Sequence, residues 1–148
     1  MRDYRLMALP FPALRHFSVI EFARADLMDN AFLQFLDEVR HKAGVPFKLT
    51  SDARTAEHNK QVGGAPTSLH LLGRAVDFTL RAWDSQTLWK ITWAVCHTPT
   101  PNGCGIELEF VIADQHCHLG LMPDTRPSRE YPSSRVSWGV SVPLPSSP

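Results

Sequence analysis

The chain has 148 residues, 43% of them hydrophobic and 20% charged, a length and composition suited to one globular domain. Fifteen basic and fifteen acidic residues cancel, which leaves neither the electrostatic footprint of a nucleic-acid binder nor the polybasic patch of a membrane-surface protein. No apolar run approaches the roughly 18–20 residues of a membrane helix, and Cys96, Cys104 and Cys117, with no C-x-x-C pair, read as reduced thiols.

Residues 1–15 form an irregular lead-in. From Met1 to Phe22 the chain is interrupted by Pro10, Pro12, Arg15 and Glu21 and lacks the apolar h-region of a secretory signal, so a cytoplasmic location before any release is expected. Ser18-Val19-Ile20-Glu21 fits a capping box, a helix-start signal. Asp29 is a good N-cap for a helix from about Asn30 to Ala43. Phe32, Phe35, Leu36, Val39 and Ala43 fall at helical spacing, and Gly44 ends it. After Pro46 a short strand is predicted over Phe47–Thr50, then a short helix or turn over Thr55–Val62, closed by Gly63-Gly64. Ala75–Leu80 reads as a strand with Val76, Phe78 and Leu80 on one face and Ala75, Asp77 and Thr79 on the other. Ser85 is expected to cap a helix running to about His97. Gly105–Ala113 and Gln115–Leu121 read as two strands of a hairpin. After Met122 proline and serine dominate, so residues 123–148 are expected to be a flexible tail or a surface strap, anchored by Trp138. The reading is a single α+β domain over residues 16–122, with a small antiparallel sheet flanked by helices.

The chemistry concentrates in two places. The run Ser68-Leu69-His70-Leu71-Leu72-Gly73-Arg74-Ala75-Val76-Asp77 is answered by His116-Cys117-His118. Together they offer imidazoles and a carboxylate suited to one metal ion, and three protein ligands with a fourth position for water define a catalytic zinc. If residues 114–118 are extended, Asp114, His116 and His118 share a face while Cys117 points into the core. An exposed polar face on an edge strand explains the same alternation. His70 alone reads more simply as an ordinary histidine. Asp77, set between Val76 and Phe78, needs a strong partner: a metal, an arginine or amide donors.

From Phe17 to Leu121 the chain closely resembles the D-alanyl-D-alanine carboxypeptidase-type zinc metallopeptidases, in particular their small phage and bacterial cell-wall branch, within the superfamily that includes the hedgehog signalling domain. The resemblance rests on Phe17-Ser18 with Glu21-Phe22, on Thr50-Ser51-Asp52-Ala53-Arg54, His58-Asn59 and Val62-Gly63-Gly64, on the S-x-H-x-x-G-x-A-x-D run, and on His116-Cys117-His118-Leu119. It implies a zinc ion held by His70, Asp77 and His118. It places His116 beside the metal, as an oxyanion donor or proton shuttle. It gives Arg54 a role in orienting the site or engaging substrate, against the plainer alternative of a loop salt bridge. Many relatives carry an acidic general base three residues before the last zinc histidine, and here that residue is Gln115. Asp114 and His116 are the leading substitutes, while Glu107 and Glu109 read better as a solvated face.

The implied activity is hydrolysis of a peptide bond in peptidoglycan stem peptides by metal-activated water, as a carboxypeptidase or an endolysin-like endopeptidase acting as a monomer. Both histidine ligands must be neutral, so activity should fall below about pH 6. Two other readings stand beside it. One is a zinc-stabilised binding or structural domain without catalysis, with Cys117 or His116 as fourth ligand. The other is a metal-free globular protein whose histidines are unrelated.

Overall fold

The computed structural model describes residues 11–123 and 135–137. Its centre is a sheet of β1 (Lys48–Ser51), β2 (Ala75–Thr79), β3 (Ile106–Val111), β4 (His116–Leu121) and β5 (Arg135–Ser137), in the spatial order β1-β2-β4-β3-β5. The first four strands pair antiparallel, and β3 and β4 form the expected hairpin. β5 joins β3 in parallel, so the sheet is mixed rather than purely antiparallel. Nothing in the apolar spacing after Met122 predicts this strand. Three residues suffice because an existing edge supplies their backbone partners. The expected anchor Trp138 and the first ten residues of the lead-in lie outside the described residues.

Among the described residues three helices accompany the sheet: α1 (Asn30–Ala43), α2 (Ala56–Gln61) and α3 (Ser85–Cys96). α1 begins and ends as its sequence predicts. The Asp29 carboxylate accepts from the Phe32 amide at 3.0 Å, and Gly44 closes the helix in the left-handed region at φ 68°. At α3 the expectation is off by one residue. Asp84, not Ser85, is the N-cap, because its extended backbone lets the carboxylate accept from the Thr87 amide at 2.8 Å. The capping box at Ser18 produces only a 3-10 turn, Val19–Glu21, in which Glu21 accepts from the Ser18 amide at 2.7 Å. No apolar periodicity follows to extend it, and Ile20 is exposed.

Alternation on the strands divides the sheet into two faces. On one, Val76, Phe78, Leu108, Phe110, Cys117 and Leu119 join Phe32, Leu36 and Val39 of α1 and Leu88 and Ile91 of α3 in one apolar core. Phe47 stacks on Phe78 with ring centroids 4.2 Å apart. Each fully buried side chain of this size contributes roughly 1.5–3 kcal/mol of burial free energy. The other face carries the polar residues, and one row crosses every strand: Ser51 opposite Asp77, Asp77 opposite His118, His118 opposite Glu109, and Glu109 opposite Ser137. Ser51 reaches this row because the β1–β2 register shifts between Leu49 and Ser51, a bulge at Thr50.

Candidate metal centre

His70 enters the site from a 3-10 turn, Leu69–Leu72, whose ends follow from the sequence. Ser68 caps it, its hydroxyl accepting from the His70 amide at 3.3 Å. Gly73 ends it at φ 66°. A Cβ on Gly73 would lie 2.0 Å from the Leu27 carbonyl oxygen, so glycine is needed both for the backbone angle and for the approach of residues 27–29. The Gly73 carbonyl then accepts from the Asp29 amide at 2.9 Å, and Arg74 Nη1 donates to the Asp29 carboxylate at 2.8 Å. The turn that carries His70 is thereby fastened to the start of α1.

The segment after β1 fixes the ring. His70 Nδ1 lies 2.7 Å from the Asp52 carbonyl oxygen, and the Arg54 amide donates to the His70 carbonyl at 2.9 Å. The Asp52 carboxylate is itself anchored, accepting from the Ala23 and Arg24 amides at 2.8 Å each. A carbonyl oxygen only accepts, so the His70 Nδ1 carries the proton and its Nε2 lone pair faces the site.

The side chains converge on Asp77, which is 6% exposed. Its Oδ1 lies 3.1 Å from His70 Nε2, 2.8 Å from His118 Nδ1 and 3.7 Å from His116 Nε2. Its Oδ2 faces Arg54 Nη2 at 3.5 Å. Arg54 is held in turn by Asn59 Oδ1 at 3.3 Å and Ser51 Oγ at 3.4 Å. Burial opposes ionisation of Asp77, but the hydrogen bond and charge of His118, and those of His70 when a proton sits on its Nε2, outweigh it and hold the carboxyl well below the usual carboxylate range. Burial likewise opposes the charge on His118. Hydrogen bonds to Asp77 and Glu107, with the charges of both, overcome it and raise the imidazole to about 9. The Glu107 contact is to His118 Nε2, at 2.6 Å. A cavity of about 330 Å³ opens beside this pair, lined by Glu107, Leu108, Glu109, His118 and Ser137.

His70, Asp77 and His118 each present one donor atom, all within 4.8 Å of one another. The donor set suits a divalent metal, and zinc in particular, which takes imidazole nitrogen and carboxylate oxygen. The hydrogen-bonding pattern fits as well. With the His70 proton on Nδ1, the Nε2 lone pair and the Asp77 oxygen face each other at 3.1 Å, an arrangement that calls for a cation or a proton between them.

The other expected site residues fall differently. His116 stands at the rim of the cluster, its side chain 37% exposed. Asp114 does not share the strand face with His116 and His118. It closes a 3-10 turn, Ile112–Asp114, Gln115 follows at φ 50°, and β4 begins only at His116. The tight β3–β4 connection imposes this, with the Gln115 amide donating to the Ile112 carbonyl at 3.1 Å. Asp114 is exposed. Cys117 lies fully buried on the core face, where burial pushes its thiol well up. Two partners were not foreseen. The Asp52 carbonyl carries no sequence signal, since backbone does this work. Glu107 does carry one: it alternates with Glu109 on a strand that pairs with the histidine strand.

Fold and site together define an α+β domain with a buried His/Asp/His cluster on the polar face of its sheet. The chain belongs to the Peptidase M15 family, of the zinc D-Ala-D-Ala carboxypeptidase type, whose family model it matches over residues 19–119. The match runs from the first 3-10 turn into β4, through Leu119. A comparison with curated proteins finds no match. Among the described residues no helix is long and apolar enough to cross a membrane.

Proposed function

We propose that this protein is a zinc-dependent peptidase that hydrolyses peptide bonds of peptidoglycan stem peptides. The observation that carries the reading is the His70/Asp77/His118 cluster inside a Peptidase M15 match. His70 and His118 would hold the ion through nitrogen and Asp77 through oxygen. A bound zinc supplies water acidic enough to ionise near neutral pH and positive charge for a polarised carbonyl.

The remaining steps belong to the chain. Arg54 engages Asp77 Oδ2 and so turns Oδ1 toward the histidines. The Asp52 carbonyl keeps the His70 proton away from the site. His116, partly exposed with Nε2 3.7 Å from Asp77 Oδ1, would take a proton from the attacking water and return it to the leaving amine. Asp114, one residue outside the strand and exposed, is less well placed for that role.

One observation favours a second reading, a zinc-stabilised domain of the same fold without catalysis. Gln115 stands where an acidic base is found in many relatives, and an amide cannot accept a proton at useful pH. Such a closed site would need a fourth protein ligand. Cys117 is turned into the core, which leaves His116 as the candidate.

Digestion of purified peptidoglycan with zinc-loaded protein, read by mass spectrometry of released fragments, separates the two. New peptide termini that vanish with His118→Ala and with a chelator establish the peptidase and identify the bond. On the proposed roles Asp114→Asn keeps the activity and His116→Ala loses it. Intact peptidoglycan with zinc still bound establishes the structural reading.

A further inference from the structure

The His118 ring is held at both nitrogens, and the second contact comes from an unexpected register position. In the β3–β4 ladder Glu109, not Glu107, stands directly opposite His118, and Glu107 stands opposite Gly120. The space above Gly120 is already filled by its neighbours. A Cβ there would lie 2.8 Å from the Leu69 side chain and 3.2 Å from the Arg74 carbonyl. The Glu107 carboxylate instead leans diagonally along the sheet and meets His118 Nε2 at 2.6 Å. Glu109, one pair closer in the ladder, remains exposed. Both members of the contact are sheltered, with side chains 15% and 22% exposed for His118 and Glu107. His70 is served in the same way by the Asp52 carbonyl, so each histidine of the cluster has one nitrogen turned to Asp77 and the other tied to an acceptor.

We propose that Glu107 is a positioning residue of the metal centre: it accepts the His118 Nε2 proton, fixes the ring, and commits Nδ1 to the ion. The inference rests on the zinc centre proposed above. A carboxylate acting on a ligating imidazole sets its tautomer and orientation and makes the other nitrogen a better donor, and loss of such a partner typically costs 10–100-fold in metal affinity. Glu107 thus acts on the metal centre through His118.

Zinc affinity, measured by competition with a chromophoric chelator, is compared for the unaltered chain, Glu107→Ala, Glu107→Gln and Glu109→Gln. Glu107→Ala should bind zinc about 10–100-fold more weakly. Glu107→Gln keeps an acceptor oxygen and should recover part of the loss. Glu109→Gln should bind as the unaltered chain does. Long-range ¹H–¹⁵N spectra of the zinc-loaded chain should place the remaining His118 proton on Nε2. Zinc binding by the unaltered chain that is indifferent to both Glu107 substitutions, or a His118 proton on Nδ1, overturns the positioning role while leaving the metal centre standing. Failure of the unaltered chain to bind zinc overturns both. Should Glu107→Ala not fold, as judged by circular dichroism, the near-isosteric Glu107→Gln and the His118 spectrum decide.

Discussion

Without a metal, His118 should make the protein lose stability as pH rises through the neutral range. In the folded chain its imidazole is held at about 9 by Asp77 and Glu107 against the cost of burial, whereas an unperturbed histidine titrates at 6.5. A folded-state value above the unfolded one stabilises the fold fully below 6.5, and that contribution disappears as pH climbs through 9. Raising a histidine from 6.5 to about 9 is worth about 3 kcal/mol, of which roughly 2 kcal/mol should be lost between about pH 6.5 and 8.5. The side chain is only 15% exposed, so solvent screening removes little of this. Asp77 has a lowered value, so its contribution is present above 3.8 and fails only in acid. His16 is lowered by burial and the nearby Arg40 charge, and works in the opposite sense, below 6.5. The raised thiols of Cys96 and Cys117 come into play only near 9. Urea denaturation of chelator-treated protein at the two pH values measures the loss as a shift in midpoint at constant slope. A flat profile, or the same decline in His118→Gln, would refute the reasoning.

Two further substitutions separate scaffold from site. Gly73→Ala combines φ 66° with a Cβ 2.0 Å from the Leu27 carbonyl, and should destabilise by more than the roughly 1 kcal/mol of the left-handed backbone alone, read by urea denaturation. Asp52→Ala strips the acceptors from the Ala23 and Arg24 amides and should cost roughly 1–3 kcal/mol, yet zinc stoichiometry should survive, because His70 is held by the Asp52 backbone carbonyl rather than its side chain. Loss of zinc with an intact fold in that variant would show that the carboxylate reaches the centre.

Local signals carried most of the fold. Asp29 and Gly44 bound α1, the alternation of Val76 and Phe78 with Asp77 oriented β2, and the 105–121 stretch reads as the hairpin it forms. These features depend on neighbours in sequence, where spacing and side-chain type suffice. The errors come where three-dimensional context decides. Asp114 follows the strand alternation on paper, but the connection between β3 and β4 takes it into a turn. β5 has no periodicity of its own and exists because β3 offers an edge. At the site, His70, Asp77 and His118 could be singled out by motif, whereas the Asp52 carbonyl carries no side-chain signal and Glu107 carries only its strand alternation, with strand register deciding that it meets His118.

The alternation His116-Cys117-His118 has a consequence for folding that does not depend on any metal. A slip of one residue in β4 would turn both imidazoles toward Phe78 and Phe110 and bring Cys117 out onto the polar face. Placing two imidazoles in that apolar layer without partners would cost several kcal/mol, while the thiol would gain nothing by emerging. β4 lies between β2 and β3, so such a slip would misalign two ladders at once. The tripeptide therefore acts as a proofreading device for strand alignment: the pairing that assembles the cluster is also the pairing the hydrophobic layer accepts.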